Sequence, residues 1–289
     1  MKNCTQLILL FLVSAFFSGC ASHVYYVSPM YGNATSYRTM PLEKDSVKSS
    51  LYASGTVSSC NTNESMHDKI FAIQANIYNV SQTHYFKGWY GGGFTLGNYK
   101  VSRVDDLNYP DFDVNAIDSL AGNKFFGTLN LDFGGAIVLP FRRGGEWRVL
   151  EFTTSLQNEF GSYLQFRKTL QNNSIKVNGN VPHSFLATIG FGTEFTFKIR
   201  NGSLGFKDQY NILLGKDYSH IDPIDYSIVN NYPPEGYKYM SFEYQLTLKN
   251  YTGFFQQNMG PTVASFQVGL NYRINSRPLK RKININTVQ

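Results

Sequence analysis

The chain has 289 residues, of which 16% are aromatic (23 Phe and 20 Tyr against 2 Trp), 25 are Gly and only 16% are charged, against about 25% charged in ordinary soluble domains. That balance fits a membrane barrel or a carbohydrate-binding β-sandwich. The formal charge of +6 is spread out, and the one basic cluster (Arg277, Lys280, Arg281, Lys282) has no aromatic platform interleaved with it, which argues against nucleic acid as a partner.

The first residues read as an export signal. Lys2 gives a short positive start, Leu7 to Val13 is an unbroken apolar run, and Ala15 to Phe17 extends it. The run is too short for a transmembrane helix, which needs about 20 apolar residues. It ends in Phe17-Ser18-Gly19-Cys20, which resembles the lipobox of bacterial lipoproteins, with Phe17 standing where an aliphatic residue is usual. The resemblance implies cleavage before Cys20 and acylation of its thiol, leaving Cys20 as the lipid-modified first residue. It also implies sorting to the outer membrane, since no acidic pair follows Cys20. Of the other cysteines, Cys4 lies in the removed segment and Cys60 is left as a packed or free thiol, so the mature chain has no intrachain disulfide. Residues 20–48, with Pro29, Pro41 and the run Glu43-Lys44-Asp45-Ser46, read as a tether.

From residue 49 to 275 the pattern is of strands. Apolar and polar residues alternate with period two over 50–60, 69–81, 84–99, 125–140, 146–160, 184–200, 204–215, 237–249, 253–258 and 262–274. FFGTLNLDFGGAIVLP (125–140) is the most regular, with Phe125, Leu129, Leu131, Phe133, Ile137 and Leu139 on one side and Thr128, Asn130, Asp132, Ala136 and Val138 on the other. The glycines of WYGGGFTLGNY (89–99) read as sites of close packing in a sheet, not as a phosphate loop. Residues 162–170 are ambiguous between strand and helix, and 276–289 form a basic tail. The connections alternate between short (82–83, 140–145, 201–203, 250–252) and long (100–123, 161–183, 216–236), as in outer-membrane barrels with short periplasmic turns and long outer loops. The expected fold is all-β: an antiparallel up-and-down barrel of about ten strands, or eight if the first or ninth fails.

Either face of such strands can be wet. With the apolar faces toward lipid, Lys87, Asp132, Glu151, Glu194, Lys198, Lys207, Glu243, Lys249 and Arg273 point into the barrel, four acids and five bases that must pair there. The lumen is then plugged or very narrow. Phe125, Tyr99, Trp147, Phe160, Phe185, Tyr237 and Tyr272 would form aromatic girdles. With the apolar faces inward, the protein is a lipocalin-like soluble carrier of a small hydrophobic ligand, tethered by its lipid. The apolar faces are too many and too rich in Phe for a small lumen, which favours the membrane reading.

Catalytic and metal signatures are weak. His23, His67, His84, His183 and His220 form neither HExxH nor a close pair. Asp111 to Asn115 begins like a calcium loop, but Ala116 and Gly122 stand where Gly and Glu are required. Asp105, Asp106, Asp111, Asp113 and Asp118 read as a solvated loop, as does His220 to Asp225. The expectation is a non-enzymatic, lipid-anchored outer-membrane protein with no cofactor and no metal. Its role is structural or rests on binding by the long loops, whose Tyr109, Tyr218, Tyr226, Tyr232, Asn230 and Asn231 suit a protein or glycan partner.

Overall fold

A computed structural model describes residues 25–40, 42, 47–62, 68–83, 85–103, 114–142, 144–175, 177, 179–215, 237–260 and 263–278. Ten strands form a closed antiparallel barrel: β1 Val47–Thr62, β2 Asp68–Gln82, β3 Phe86–Val101, β4 Gly122–Pro140, β5 Gly145–Phe160, β6 Phe185–Ile199, β7 Gly202–Leu214, β8 Lys238–Leu248, β9 Tyr251–Gly260 and β10 Val263–Pro278. Each strand pairs with the next, and β10 closes on β1 from Val263↔Thr62 to Pro278↔Val47. The last strand therefore takes up the start of the expected tail. Cys20, the signal and residues 279–289 lie outside the described residues, as do Asp105 to Asp113 and His220 to Asp225.

An even strand number puts the start of β1 and the end of β10 at one end, with the short turns 83–85, 141–144, 200–201 and 249–250. The opposite end carries the connections 63–67, 102–121, 161–184, 215–237 and 261–262. Among the described residues two short helices sit in these: α1 Val114–Ser119 and α2 Ser162–Asn172. The ambiguous stretch 162–170 is thus helical. Tyr163, Phe166, Arg167 and Leu170 recur at helical spacing and are all buried, which packing at the barrel end rewards more than a strand would.

Period-two alternation runs through the barrel. In β2 inward and outward residues alternate over the whole strand. The apolar faces look outward on every strand: Ile77 of β2 is 59% exposed, Leu131 of β4 64% and Val268 of β10 61%. The inward faces are polar. The carrier alternative, with apolar side chains lining a ligand cavity, is therefore overturned: the lumen is polar and it is full.

Its filling is the N-terminal segment. Residues 25–40, expected as a tether, run through the barrel and are buried almost throughout. The segment starts at the long-connection end, where Tyr25 and Tyr26 pair in parallel with Gly179 and Asn180, and Val181 N–H donates to the Tyr26 carbonyl at 3.0 Å. It ends at the short-turn end, where Met40 packs with Tyr52, Tyr78 and Trp89. The physical reason is composition: in Tyr-Tyr-Val-Ser-Pro-Met-Tyr-Gly-Asn-Ala-Thr-Ser-Tyr eight of thirteen side chains carry a polar group and none is charged before Arg38, which suits a hydrogen-bonding interior better than water.

Candidate functional site

The most elaborate chemistry of the molecule is this plugged lumen. Its central group is Arg148 on β5, fully buried. Its guanidinium pairs with Glu146 (2.8 Å) and with Glu194 of β6, and donates to the Met40 carbonyl of the plug at 2.9 Å. Lys87 of β3 reaches Glu146 at 2.6 Å. Lys207 of β7 reaches Glu151 at 2.8 Å and Glu243 of β8 at 3.7 Å. Arg38, the one cation of the plug, pairs with Asp132 of β4 at 2.6 Å and lies over the rings of Tyr78 and Trp89, 5.6 and 5.4 Å from their centroids. Every one of these charges is taken from water and answered by an opposite one, which is the condition for keeping it there.

Hydrogen bonds fix the register of the plug. Asn258 donates to the Gly32 carbonyl at 2.7 Å, and Gln74 to the Asn33 carbonyl at 2.6 Å. Thr35 Oγ1 lies 2.9 Å from Oε1 of both Gln74 and Gln267. Ser36 donates to Glu243 and Tyr37 to Gln245. The Thr39 amide donates to Tyr78 Oη at 3.0 Å. Partners come from β2, β8, β9 and β10, and Arg38 and Met40 add β4 and β5, so the segment is bonded to strands on opposite sides of the wall. An internal gap of about 20 Å³ remains beside Ala34, Thr35 and Ser36, room for a water and for no organic ligand.

The long-connection end is closed by a second layer. Tyr26 meets Phe166 of α2 edge-on, centroids 5.0 Å apart, and Tyr99 stacks on Tyr163 at 4.0 Å. Arg167 of α2 pairs with Glu159 at 2.5 Å and donates to the Val181 carbonyl. Tyr99 and Tyr237, expected in aromatic girdles, belong to this buried cap. Phe125, Phe160, Phe185 and Tyr272 do face outward.

Of the charges expected inside, Lys87, Asp132, Glu151, Glu194, Lys207 and Glu243 are buried in the lumen. Lys198 is exposed near the short-turn end of β6. Lys249 is exposed in the β8–β9 turn, at φ 56°. Arg273 sits at the rim, donating to Asn250 at 2.6 Å. These three are corrections: alternation sets the side a residue faces, not its depth. Glu146 and Arg148 were not expected inside. A register shift between β5 and β6 spans Arg148 to Glu151, so an extra residue reverses the parity there and lets Glu146, Arg148 and Glu151 all point inward. Three charges at 146, 148 and 151 were the signal, because a strict period of two cannot place them on one face.

Among the described residues no three His, Cys, Asp or Glu side chains are grouped to hold a metal. Cys60 is buried and free.

No protein-family model matches the chain, and no curated protein matches it. Among solved structures it is similar to the translocator domain of the autotransporter NalP from Neisseria meningitidis, at 10% identity and a TM-score of 0.39 over 80% of this chain and 90% of that one. It is similar also to the beta domain of the Bordetella autotransporter BrkA (10%, 0.38, 78% and 99%) and to an outer membrane channel from Pseudomonas putida F1 (8%, 0.35, 83% and 98%). At these scores the likeness is one of barrel shape.

Proposed function

We propose that this protein is a barrel embedded in a bacterial outer membrane, closed to solutes by its own N-terminal segment and lipid-modified at Cys20. Its role is structural, or lies in binding a protein or glycan through the long connections, without catalysis. The observation that carries this is the inversion of the usual arrangement: apolar side chains exposed on all ten strands around an ion-paired polar interior. In water such a continuous apolar girdle would far exceed the few hundred Å² a soluble monomer tolerates. In lipid it is the expected surface, and closure of the sheet leaves no unpaired strand edge in hydrocarbon.

The test separates the barrel from the lipid as the anchor. A Cys20→Ala chain, with its signal made cleavable by another peptidase, is expected to stay in the outer-membrane fraction through a high-salt and carbonate wash. Release as a folded soluble protein would overturn the embedded barrel.

A further inference from the structure

The direction of the plug fixes where a lipid on Cys20 lies. Tyr25 is held at the long-connection end by its pairing with Gly179 and by an edge-on contact with Tyr237, centroids 6.1 Å apart. Tyr26 is held beside it by Phe166 and Val181. Five residue steps separate Cys20 from Tyr25. Fully extended they span at most about 18 Å, against about 30 Å of hydrocarbon between the two interfaces. The lumen offers no way back, since residues 30–40 run through it, buried almost throughout and bonded to the wall. The start of β1 and the end of β10 lie at the other end.

We infer that the acylated Cys20 sits in the leaflet on the side of the long connections, opposite the end where the barrel strands begin and end, so that the chain enters the lumen from the lipid-bearing face and leaves it to start β1. This rests on the lipid and membrane readings above. With short turns on the periplasmic side, the anchor is in the outer leaflet, and the surface around Tyr25, α2 and the long connections is presented beside its own lipid. The acyl chains are then part of the exposed face of the protein and not a tether to its periplasmic side.

The test uses the full chain with a flanked protease site placed between Val24 and Tyr25, in the 216–236 connection, or in the 141–144 turn, heat-modifiable migration showing that each barrel has formed. The first two sites are expected to be cut from the same side of the membrane, in intact cells, and the turn site only after the outer membrane is opened. Cleavage of the Val24–Tyr25 site together with the turn site, and apart from the connection site, overturns the inference. Uptake of a clickable fatty acid by the parent chain and its loss in Cys20→Ala is measured separately. A parent chain that takes up none removes the anchor and with it the inference, while the cleavage pattern still reports the direction of the thread.

Discussion

Arg148 shows how single residues hold this molecule together. It answers two buried carboxylates, Glu146 and Glu194, and a plug carbonyl. Arg148→Met leaves Glu194 buried without its cation and Glu146 with Lys87 alone, and removing one side of a buried pair costs about 3–5 kcal/mol. The expected outcome is a matching fall in the denaturant midpoint of the barrel in detergent, partly restored in Arg148→Met/Glu194→Gln. On the outer face, Leu131 lies in the middle of β4 and is 64% exposed. Leu131→Arg is expected to cost about 2–4 kcal/mol when the barrel is folded into vesicles, the cost of an arginine near the bilayer midplane; a change within about 0.5 kcal/mol, as on a wetted surface, would argue that this face does not meet lipid. At this scale the sequence was largely legible. Period-two alternation placed Asp132, Glu194 and Lys207 inside because each sits in regular strand. It misplaced Lys249 because a turn residue has no sheet face, and Lys198 because nothing local marks the rim.

The strands themselves were legible to within a few residues, since each carries its own alternation and each turn its own polar break. The departures from regularity were harder to see. The irregularity after Arg148 is the clearest, because everything N-terminal to it on β5 depends on the extra residue. Deleting Leu150 alone removes the extra residue and leaves Glu146, Arg148 and Glu151 on the lumen face of a strictly alternating strand, whereas deleting Val149 and Leu150 together puts Arg148 next to Glu151 and turns Glu146 and Arg148 toward lipid. The expected result is loss of the heat-modifiable folded form in the double deletion and its retention in the single one. Gly93 on β3 is a smaller case of the same kind: a Cβ there would collide with the Ala75 carbonyl and the Asn76 side chain, so its absence allows β2 and β3 to pack as they do. Helix α2 was ambiguous in sequence because its buried face, Tyr163, Phe166 and Leu170, spans only two turns, too few for a periodicity to declare itself.

For the molecule as a whole, the plug was the part hidden from sequence. Its contacts pair residues 32–40 with positions up to 233 residues away, and no local pattern encodes such a partner. With the segment in place the lumen is filled, and the intact protein is expected to show no steady conductance in a planar bilayer. Without residues 25–40, the described wall keeps seven buried carboxylates (Asp68, Asp132, Glu146, Glu151, Glu159, Glu194, Glu243) against three buried bases (Lys87, Arg148, Lys207), with Arg167 of α2 answering Glu159. A chain lacking 25–40 is expected to conduct and to prefer cations over anions, read from the reversal potential in a salt gradient; a silent or anion-preferring barrel would show that the wall closes by itself. The closed ring around a filled axis also sets an order of events in biogenesis. If Cys20 carries the lipid proposed above, its bulky end cannot be drawn through a finished cylinder that residues 25–40 fill. The sheet must therefore curl around residues 25–40 while still open, with the junction of β1 and β10, which joins the two ends of the sheet, zipping shut last. The N-terminal segment is then the mandrel on which the cylinder is wound, and whatever inserts this protein must hold the seam apart until the mandrel is seated.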